Sequence, residues 1–109
     1  AEQPADVQAT LLALTAFAIA RALQEHCRGV QEVYLCGGGA RNRALVGSIG
    51  GILSGVRVAP TDVLGVDAEW VEALAFAWLA RQALRGEPGN LPSVTGARGP
   101  RVLGAIYPA

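Results

Sequence analysis

Lysine is absent from this chain, and histidine and cysteine are scarce, with one and two copies. A phosphate-binding loop that ends in Gly-Lys-Ser/Thr is therefore excluded, and so is Schiff-base chemistry on a lysine. The nine basic residues are all arginines and are balanced by nine acidic residues, which gives a formal net charge of zero. This balance removes the positive surface expected of a nucleic-acid-binding protein, so we expect no nucleic-acid partner.

Long hydrophobic runs are also missing. The longest, Leu11 to Ala20, is interrupted by Thr15 and is shorter than the roughly 20 residues that a membrane span needs. The N-terminal residues 1–6 lack the basic region of a secretory signal. Two cysteines without framework spacing favour a reducing compartment, and one histidine with two distant cysteines is too few for a zinc site. We therefore expect a soluble, cytoplasmic protein with no membrane partner and no metal site of its own.

The residues that are present predict an α/β fold. Hydrophobic residues make up 51% of the chain and charged residues 17%, which is too apolar for a disordered chain. Strands are predicted at 32–36 and 56–59, and the three main helices at about 6–27, 42–53 and 67–85. The caps and stops are Asp6 and Gly29 for the first helix, Asn42 and Gly55 for the second, and Asp67, Gly86 and Pro88 for the third.

Hydrophobic periodicity assigns a buried face to two of these helices. In the first helix the predicted stripe is Leu11, Leu12, Leu14, Ala18, Ile19, Ala22 and Leu23. In the third helix it is Val71, Leu74, Ala75, Trp78 and Leu79. Near the end of the chain, only residues 102–107 have a strand-like pattern.

The order strand–glycines–helix–strand is typical of a βαβ unit with a parallel sheet. Parallel sheets are normally covered on both faces, and two or three short strands leave faces and edges open. We therefore expect this chain to be a piece of a larger α/β protein.

The most informative motif follows the first strand: Cys36-Gly37-Gly38-Gly39-Ala40-Arg41-Asn42. Glycines let a ligand approach the main chain without interference from Cβ atoms, and the next helix directs its free N–H groups and positive end to the same place. Both features favour a nucleotide, although a tight turn without a ligand would have the same pattern.

A dinucleotide-binding oxidoreductase domain is an alternative. Its Gly-x-Gly-x-x-Gly fingerprint almost fits from Gly37, with Asn42 in place of the third glycine, and Asp62 could then be the ribose-binding carboxylate. Two further carboxylates lie near the start of the third helix. Glu69 is most simply a surface group favoured by the helix dipole, whereas Glu72 borders the apolar face. Glu72 is either a solvated boundary residue or, if it faces a cleft, an acceptor for sugar hydroxyls.

Several stretches together resemble one family, the anhydro-N-acetylmuramic acid kinases. These are Val33-Tyr34-Leu35-Cys36-Gly37-Gly38-Gly39-Ala40-Arg41-Asn42, Glu72-Ala73-Leu74-Ala75-Phe76-Ala77-Trp78-Leu79-Ala80, Pro88-Gly89-Asn90-Leu91-Pro92-Ser93-Val94-Thr95-Gly96-Ala97 and Val102-Leu103-Gly104-Ala105-Ile106-Tyr107-Pro108. The resemblance is to the C-terminal part of that family. It implies a ribonuclease H-like, actin-like ATPase fold of two lobes, of which residues 1–109 form most of the second lobe without the N-terminal one.

The resemblance also implies a function. Such an enzyme uses ATP and Mg²⁺ to open the 1,6-anhydro bridge of anhydro-N-acetylmuramic acid with water and to phosphorylate O6, giving N-acetylmuramic acid 6-phosphate in cell-wall recycling. Members are homodimers. Gly37, Gly38 and Gly39, with Arg41 and Asn42, match the adenosine-binding turn, and Glu72 matches a glutamate that reaches the sugar.

The family's catalytic aspartate and its phosphate-holding glycine loop are expected upstream, so this chain is expected to carry no catalytic residue and to be inactive alone. A non-catalytic ATPase-like scaffold module is a further alternative.

Overall fold

A computed structural model describes residues 2–108 of the chain. The chain divides into two compact units, Ala1–Val71 and Glu72–Ala109. In chain order the helices and strands are α1 (Pro4–His26), β1 (Glu32–Leu35), α2 (Arg43–Ile52), β2 (Arg57–Pro60), α3 (Val71–Arg85) and α4 (Pro92–Thr95). Two 3₁₀ turns, Gly38–Arg41 and Thr61–Leu64, each follow a strand.

The first unit contains the predicted βαβ arrangement. β1 and β2 pair in parallel, with Glu32 opposite Arg57 and Leu35 opposite Pro60, and α2 connects them. The predicted α/β class and parallel pairing are therefore confirmed, with strand ends shifted by one residue. Because the strands are parallel, both 3₁₀ turns lie at the same edge of the sheet, where their carboxyl ends meet.

The core of the first unit lies between the sheet and the two helices. Its fully buried residues are Ala16, Ala20, Val33, Ile49 and Leu53. The two alanines are completely buried and allow α1 to approach α2 closely. The face of α1 that packs is therefore Leu12, Ala16, Ile19, Ala20 and Leu23. The predicted stripe was right for three of these but wrong for Leu11, Leu14, Ala18 and Ala22, which are exposed.

Two of the predicted helix starts were wrong and one was right. α1 begins at Pro4, with Gln3 as its N-cap, so Asp6 lies inside the first turn. α3 begins at Val71, and Asp67 instead accepts a hydrogen bond from the Glu69 N–H in the preceding turn. Asn42 does cap α2, because its side-chain oxygen accepts from the N–H groups of Ala44 and Leu45.

The predicted helix ends are largely as expected. Gly29, Gly55 and Gly86 all have the positive φ angles that the left-handed turns after helices require. α1 ends earlier than expected, however, since its C-cap is Cys27, two residues before Gly29.

The second unit consists of α3, the short α4 and an irregular C-terminal segment. No residue of α3 is fully buried, and Leu74 and Trp78 of its predicted stripe are 53% and 47% exposed. The strand predicted at 102–107 does not form within the described residues. Gly104 has a φ of 103°, which breaks the extended run. Leu103 and Ile106 instead line an apolar groove with Phe76 and Leu79.

α1 is long and apolar enough, by length and composition, to cross a membrane. The sequence argument against a span was therefore too strict, since it counted only the run from Leu11 to Ala20 and left out the apolar residues on either side of it. One such helix is weak evidence, because core helices of soluble proteins pass the same test.

Candidate functional site

The glycine motif forms a sharp turn that connects β1 to α2. Gly37 has φ 75° and ψ −177°, a backbone conformation that is essentially restricted to glycine. Gly38–Arg41 then form a single 3₁₀ turn, in which the Ala40 N–H donates to the Gly37 carbonyl at 3.0 Å. The sequence therefore places a glycine where the backbone demands one.

Gly38 differs from Gly37, because its glycine identity is not required by the fold. It has no positive φ, and a Cβ atom built on it would meet nothing within 4 Å. A Cβ at Gly37 would also enter open space, and one at Gly39 would make only an ordinary contact with Leu45 Cδ2 at 3.6 Å. Within the described residues no atom lies within 4 Å of a Cβ built on Gly37 or Gly38, so a flat ligand could contact the backbone there directly.

The N-terminus of α2 is already occupied by its own cap. Asn42 Oδ1 lies 3.1 Å from both the Ala44 and the Leu45 nitrogen. The sequence-based expectation that this helix offers its free N–H groups to a ligand is therefore wrong for these two groups. The capping bond uses the Asn42 oxygen but leaves its amide nitrogen available as a donor.

Arg41 is surrounded by carboxylates from the segment after β2. Its Nη1 lies 3.0 Å from Asp62 Oδ1, its Nη2 lies 2.8 Å from Asp67 Oδ1, and its Nε lies 3.8 Å from Glu69 Oε1. The hydrogen bond with Asp62, and then the charges of Asp62 and Asp67, raise the pKa of Arg41 above its ordinary value. The N–H groups of the guanidinium are thus bonded to protein carboxylates, and its two flat faces remain available to stack on a ring.

The Asp62 carboxylate accepts two hydrogen bonds, one from the turn residue Arg41 and one from Ala68. Its Oδ1 accepts from Arg41, and its Oδ2 accepts from the Ala68 N–H at 3.2 Å. Desolvation raises the pKa of Asp62, but the hydrogen bonds from Arg41 and from the backbone N–H groups of Asp62 and Ala68 outweigh it, and the net pKa is lowered. The ribose-binding role that a dinucleotide fold would give Asp62 does not fit a carboxylate engaged in this way.

The charges around the turn favour a nucleoside over phosphates. One guanidinium faces three carboxylates, so the cluster as a whole is negative and repels a polyphosphate. The open backbone at Gly38 and the flat faces of Arg41 suit the uncharged base and sugar of a nucleotide. These residues could therefore contact an uncharged, flat group. Residues 2–108 contain no group of three His, Cys, Asp or Glu side chains that could hold a metal ion.

Glu72 belongs to the other unit. It lies in the first turn of α3 and is exposed, with its side chain free to accept hydrogen bonds from a polar ligand. The turn residues Gly37–Asn42 are thus brought together in the first unit, whereas the predicted sugar-binding residue is carried by the second.

The Pro88-Gly89-Asn90-Leu91-Pro92 stretch has a structural role within the second unit. Asn90 accepts a hydrogen bond from the Arg101 N–H at 2.6 Å and donates one to the Gly99 carbonyl at 3.2 Å. A Cβ on Gly89 would lie 2.9 Å from Leu79 Cδ2 and 3.3 Å from Leu103 Cγ. Asn90 therefore fastens the C-terminal segment, and Gly89 allows it to pass close to α3.

Comparison with known proteins gives the family. The family profile described as anhydro-N-acetylmuramic acid kinase matches residues 1–109. The chain belongs to the anhydro-N-acetylmuramic acid kinase family. The resemblance found in the sequence is confirmed, and the dinucleotide-binding alternative is not supported.

Curated members of the anhydro-N-acetylmuramic acid kinase family match nearly the whole chain. A protein of that name from Nitrosospira multiformis is 64% identical over 108 residues, which cover 99% of this chain and 30% of the relative. Its namesake from Thiobacillus denitrificans is 60% identical over 107 residues, covering 98% and 29%. The protein from Chromobacterium violaceum is 60% identical over 108 residues, covering 99% and 29%. The chain thus spans about 30% of the length of these relatives.

The carboxylates that hold Arg41 were missed by the sequence reasoning as partners of the turn. Asp62 and Asp67 are 21 and 26 residues away from Arg41 in sequence, beyond the reach of any local pattern. A signal was nevertheless present. Asp62 follows the second strand of a predicted parallel pair, and the carboxyl ends of such strands lie side by side.

Proposed function

We propose that the intact protein is an ATP-dependent kinase that opens 1,6-anhydro-N-acetylmuramic acid with water and phosphorylates O6. The product would be N-acetylmuramic acid 6-phosphate, an intermediate in the recycling of cell-wall peptidoglycan. Family membership over all 109 residues supports this proposal, as does the identity of 60–64% with relatives named anhydro-N-acetylmuramic acid kinase. ATP would supply the phosphoryl group, and the residues of this chain would bind and orient the reactants.

Within that enzyme, the Gly37–Asn42 turn would seat the adenosine part of ATP. The single observation that carries this assignment is the open space beside Gly38, whose missing side chain the fold does not require. Gly37 and Gly39 would complete the backbone surface, the guanidinium face of Arg41 would stack on the base, and the Asn42 amide would donate to the nucleoside. The negative cluster around Arg41 would direct the phosphates away from this turn.

We further propose that residues 1–109 are the C-terminal, second-lobe part of an actin-like ATPase fold. The two-stranded parallel sheet supports this, because each strand has one unpaired edge within the described residues and parallel sheets of two strands are rarely complete. The catalytic aspartate, the phosphate-holding loop and the ligands of Mg²⁺ would then come from the rest of the protein. A cytoplasmic homodimer is part of the same proposal.

Glu72 would bind the sugar. Its position in the first turn of α3 and its exposure support this role, since a carboxylate can accept hydrogen bonds from two neighbouring hydroxyls. The alternative is a solvated carboxylate with no ligand.

The experiment is a phosphotransfer assay of the intact protein with ATP, Mg²⁺ and 1,6-anhydro-N-acetylmuramic acid, in which the product is identified by mass spectrometry and ³¹P spectroscopy. We expect the 6-phosphate of the ring-opened sugar. For Glu72→Gln, we expect kcat/KM for the sugar to fall by roughly 10²-fold or more, with KM for ATP within about twofold. No phosphorylated product from the wild-type enzyme would overturn the proposal and favour the scaffold alternative. Unchanged kinetics of Glu72→Gln would refute only the sugar-binding role.

A further inference from the structure

The glycine turn and the segment after β2 form a closed ring of hydrogen bonds. The Gly37 N–H donates to the Ala68 carbonyl at 2.7 Å, and the Ala68 N–H donates to Asp62 Oδ2 at 3.2 Å. Asp62 Oδ1 then accepts from Arg41 at 3.0 Å. The 3₁₀ turn Gly38–Arg41 closes the ring back to Gly37. We call this set, Gly37, Arg41, Asp62 and Ala68, the turn clamp.

The turn clamp fixes a segment that has little else to hold it. Gly38, Gly39 and Arg41 are exposed, and two of the three have no side chain to pack. The rigid end of the ring is Ala68, which is completely buried. Because Ala68 offers both its carbonyl and its N–H to the ring, it connects the turn to the interior of the first unit.

Asp62 is the residue on which this arrangement depends. It is the one member of the turn clamp whose side chain bonds to two others, and it joins the buried Ala68 to the exposed Arg41. Asp67 also binds Arg41, at 2.8 Å, but its remaining bond is to the Glu69 N–H and does not return to the turn. Removing the Asp62 charge therefore opens the ring, whereas removing that of Asp67 leaves it closed.

We propose that Asp62 is a positioning residue for the nucleoside, which acts through Arg41 and Ala68 without touching the ligand. This inference rests on the proposed function. It assigns a role to Asp62, which lies outside the proposed nucleoside-binding turn but supports it. When the hydrogen bonds of the turn clamp are intact, the backbone at Gly38 and the guanidinium plane of Arg41 already have the positions that they need to contact the base. Without these bonds, nucleotide binding has to order both groups and is weakened by that cost.

The test uses the intact enzyme and the variants Asp62→Asn and Glu69→Gln. Asp62→Asn keeps an oxygen that can accept from the Ala68 N–H but loses the charged partner of Arg41. Glu69→Gln is the matched control, because it removes one negative charge from the same cluster at a group 3.8 Å from Arg41 that is not in the ring. The probe is MgADP, measured by isothermal titration calorimetry, together with steady-state kinetics in ATP and in sugar.

For Asp62→Asn we expect the Kd for MgADP and the KM for ATP to rise roughly tenfold, with kcat and the KM for sugar within about twofold. Glu69→Gln makes the cluster less negative but leaves the ring closed, so its Kd for MgADP is expected to lie within about twofold of the wild type. In a double-mutant cycle, Asp62→Asn and Arg41→Gln are expected to be strongly non-additive, since each opens the same ring. A merely structural role would not produce a selective change in ATP KM or this coupling.

Wild-type affinity for MgADP in Asp62→Asn, equal losses in both control and variant, or additive effects in the cycle would each overturn the positioning role while leaving the kinase function intact. A wild-type enzyme that neither binds MgADP nor phosphorylates sugar would refute the proposed function itself, and the positioning role with it. If Asp62→Asn does not fold, Asp62→Glu keeps the charge but displaces the carboxylate by one methylene group from its bonds with Arg41 and the Ala68 N–H, and its MgADP affinity decides the question by the same criterion.

Discussion

The two units of this chain reach their folds by different means. The first unit has a closed core in which Ala16, Ala20 and Ile49 are almost completely shielded from water. The second unit has no fully buried residue in its main helix, and Phe76 and Trp78 remain 64% and 47% exposed. Its chain path is held by the polar bonds of Asn90 and the close packing at Gly89.

This difference in packing makes the glycine turn, which belongs to the first unit, the better supported part of the candidate site. The glycine turn belongs to the packed first unit, so its geometry is fixed by the two strands, by the capped helix α2 and by the turn clamp. Glu72 projects from a helix whose large apolar side chains are mostly exposed within the described residues. The proposed nucleoside site lies in the first unit, and the residue proposed to bind the sugar lies in the second.

The largest expected effect is on the core of the first unit. Ile49→Ala removes a side chain that is 1% exposed, and we expect it to lower the free energy of unfolding by about 2–5 kcal/mol. The matched variant in the second unit, Leu84→Ala, affects a residue that is 75% exposed and is expected to change it by less than about 0.5 kcal/mol. Urea unfolding followed by circular dichroism measures both. Equal effects would contradict the contrast between the units.

A smaller effect is expected from the polar contacts of the second unit. Asn90→Ala removes two hydrogen bonds, and we expect a local loss of about 1–2 kcal/mol. The Arg101 amide, which donates to Asn90, should then exchange with solvent roughly ten times faster, while the Ile49 amide in the first unit exchanges as before. Hydrogen-exchange measurements on wild type and variant test this. Acceleration that is equal in both units would show that Asn90 stabilises the whole chain.

The sequence predicted those parts of the fold that depend on local chemistry. Asn42 was recognised as a cap because the residue type and its place before an apolar run suffice, and Gly55 was recognised as a helix end for the same kind of reason. The strand expected at 102–107 failed, because a strand exists only when a partner pairs with it. Gly104 turns the chain away, and the described residues offer no third strand.

The sequence predicted which residues form the candidate site but not which side chains contact one another there. The glycines were identified from their order in the chain and Arg41 through the family resemblance, yet the contacts of Arg41 depend on Asp62, a residue brought near by the pairing of β1 and β2. Long-range contacts of this kind are fixed by topology, which no local pattern contains.

The most direct test of the nucleoside seat is the affinity of the intact enzyme for MgADP after Gly38→Ala. The fold tolerates a methyl group at this position, because the backbone needs no positive φ there and the space is open. The control is Gly51→Ala in α2, where an added methyl group also meets nothing within 4 Å and lies away from the turn.

We expect Gly38→Ala to leave the melting temperature within a few degrees of wild type and to weaken MgADP binding at least tenfold, since the methyl group occupies the space of the nucleoside. Gly51→Ala should bind MgADP as the wild type does. Unchanged affinity in a folded Gly38→Ala enzyme would show that the glycine turn does not receive the nucleotide.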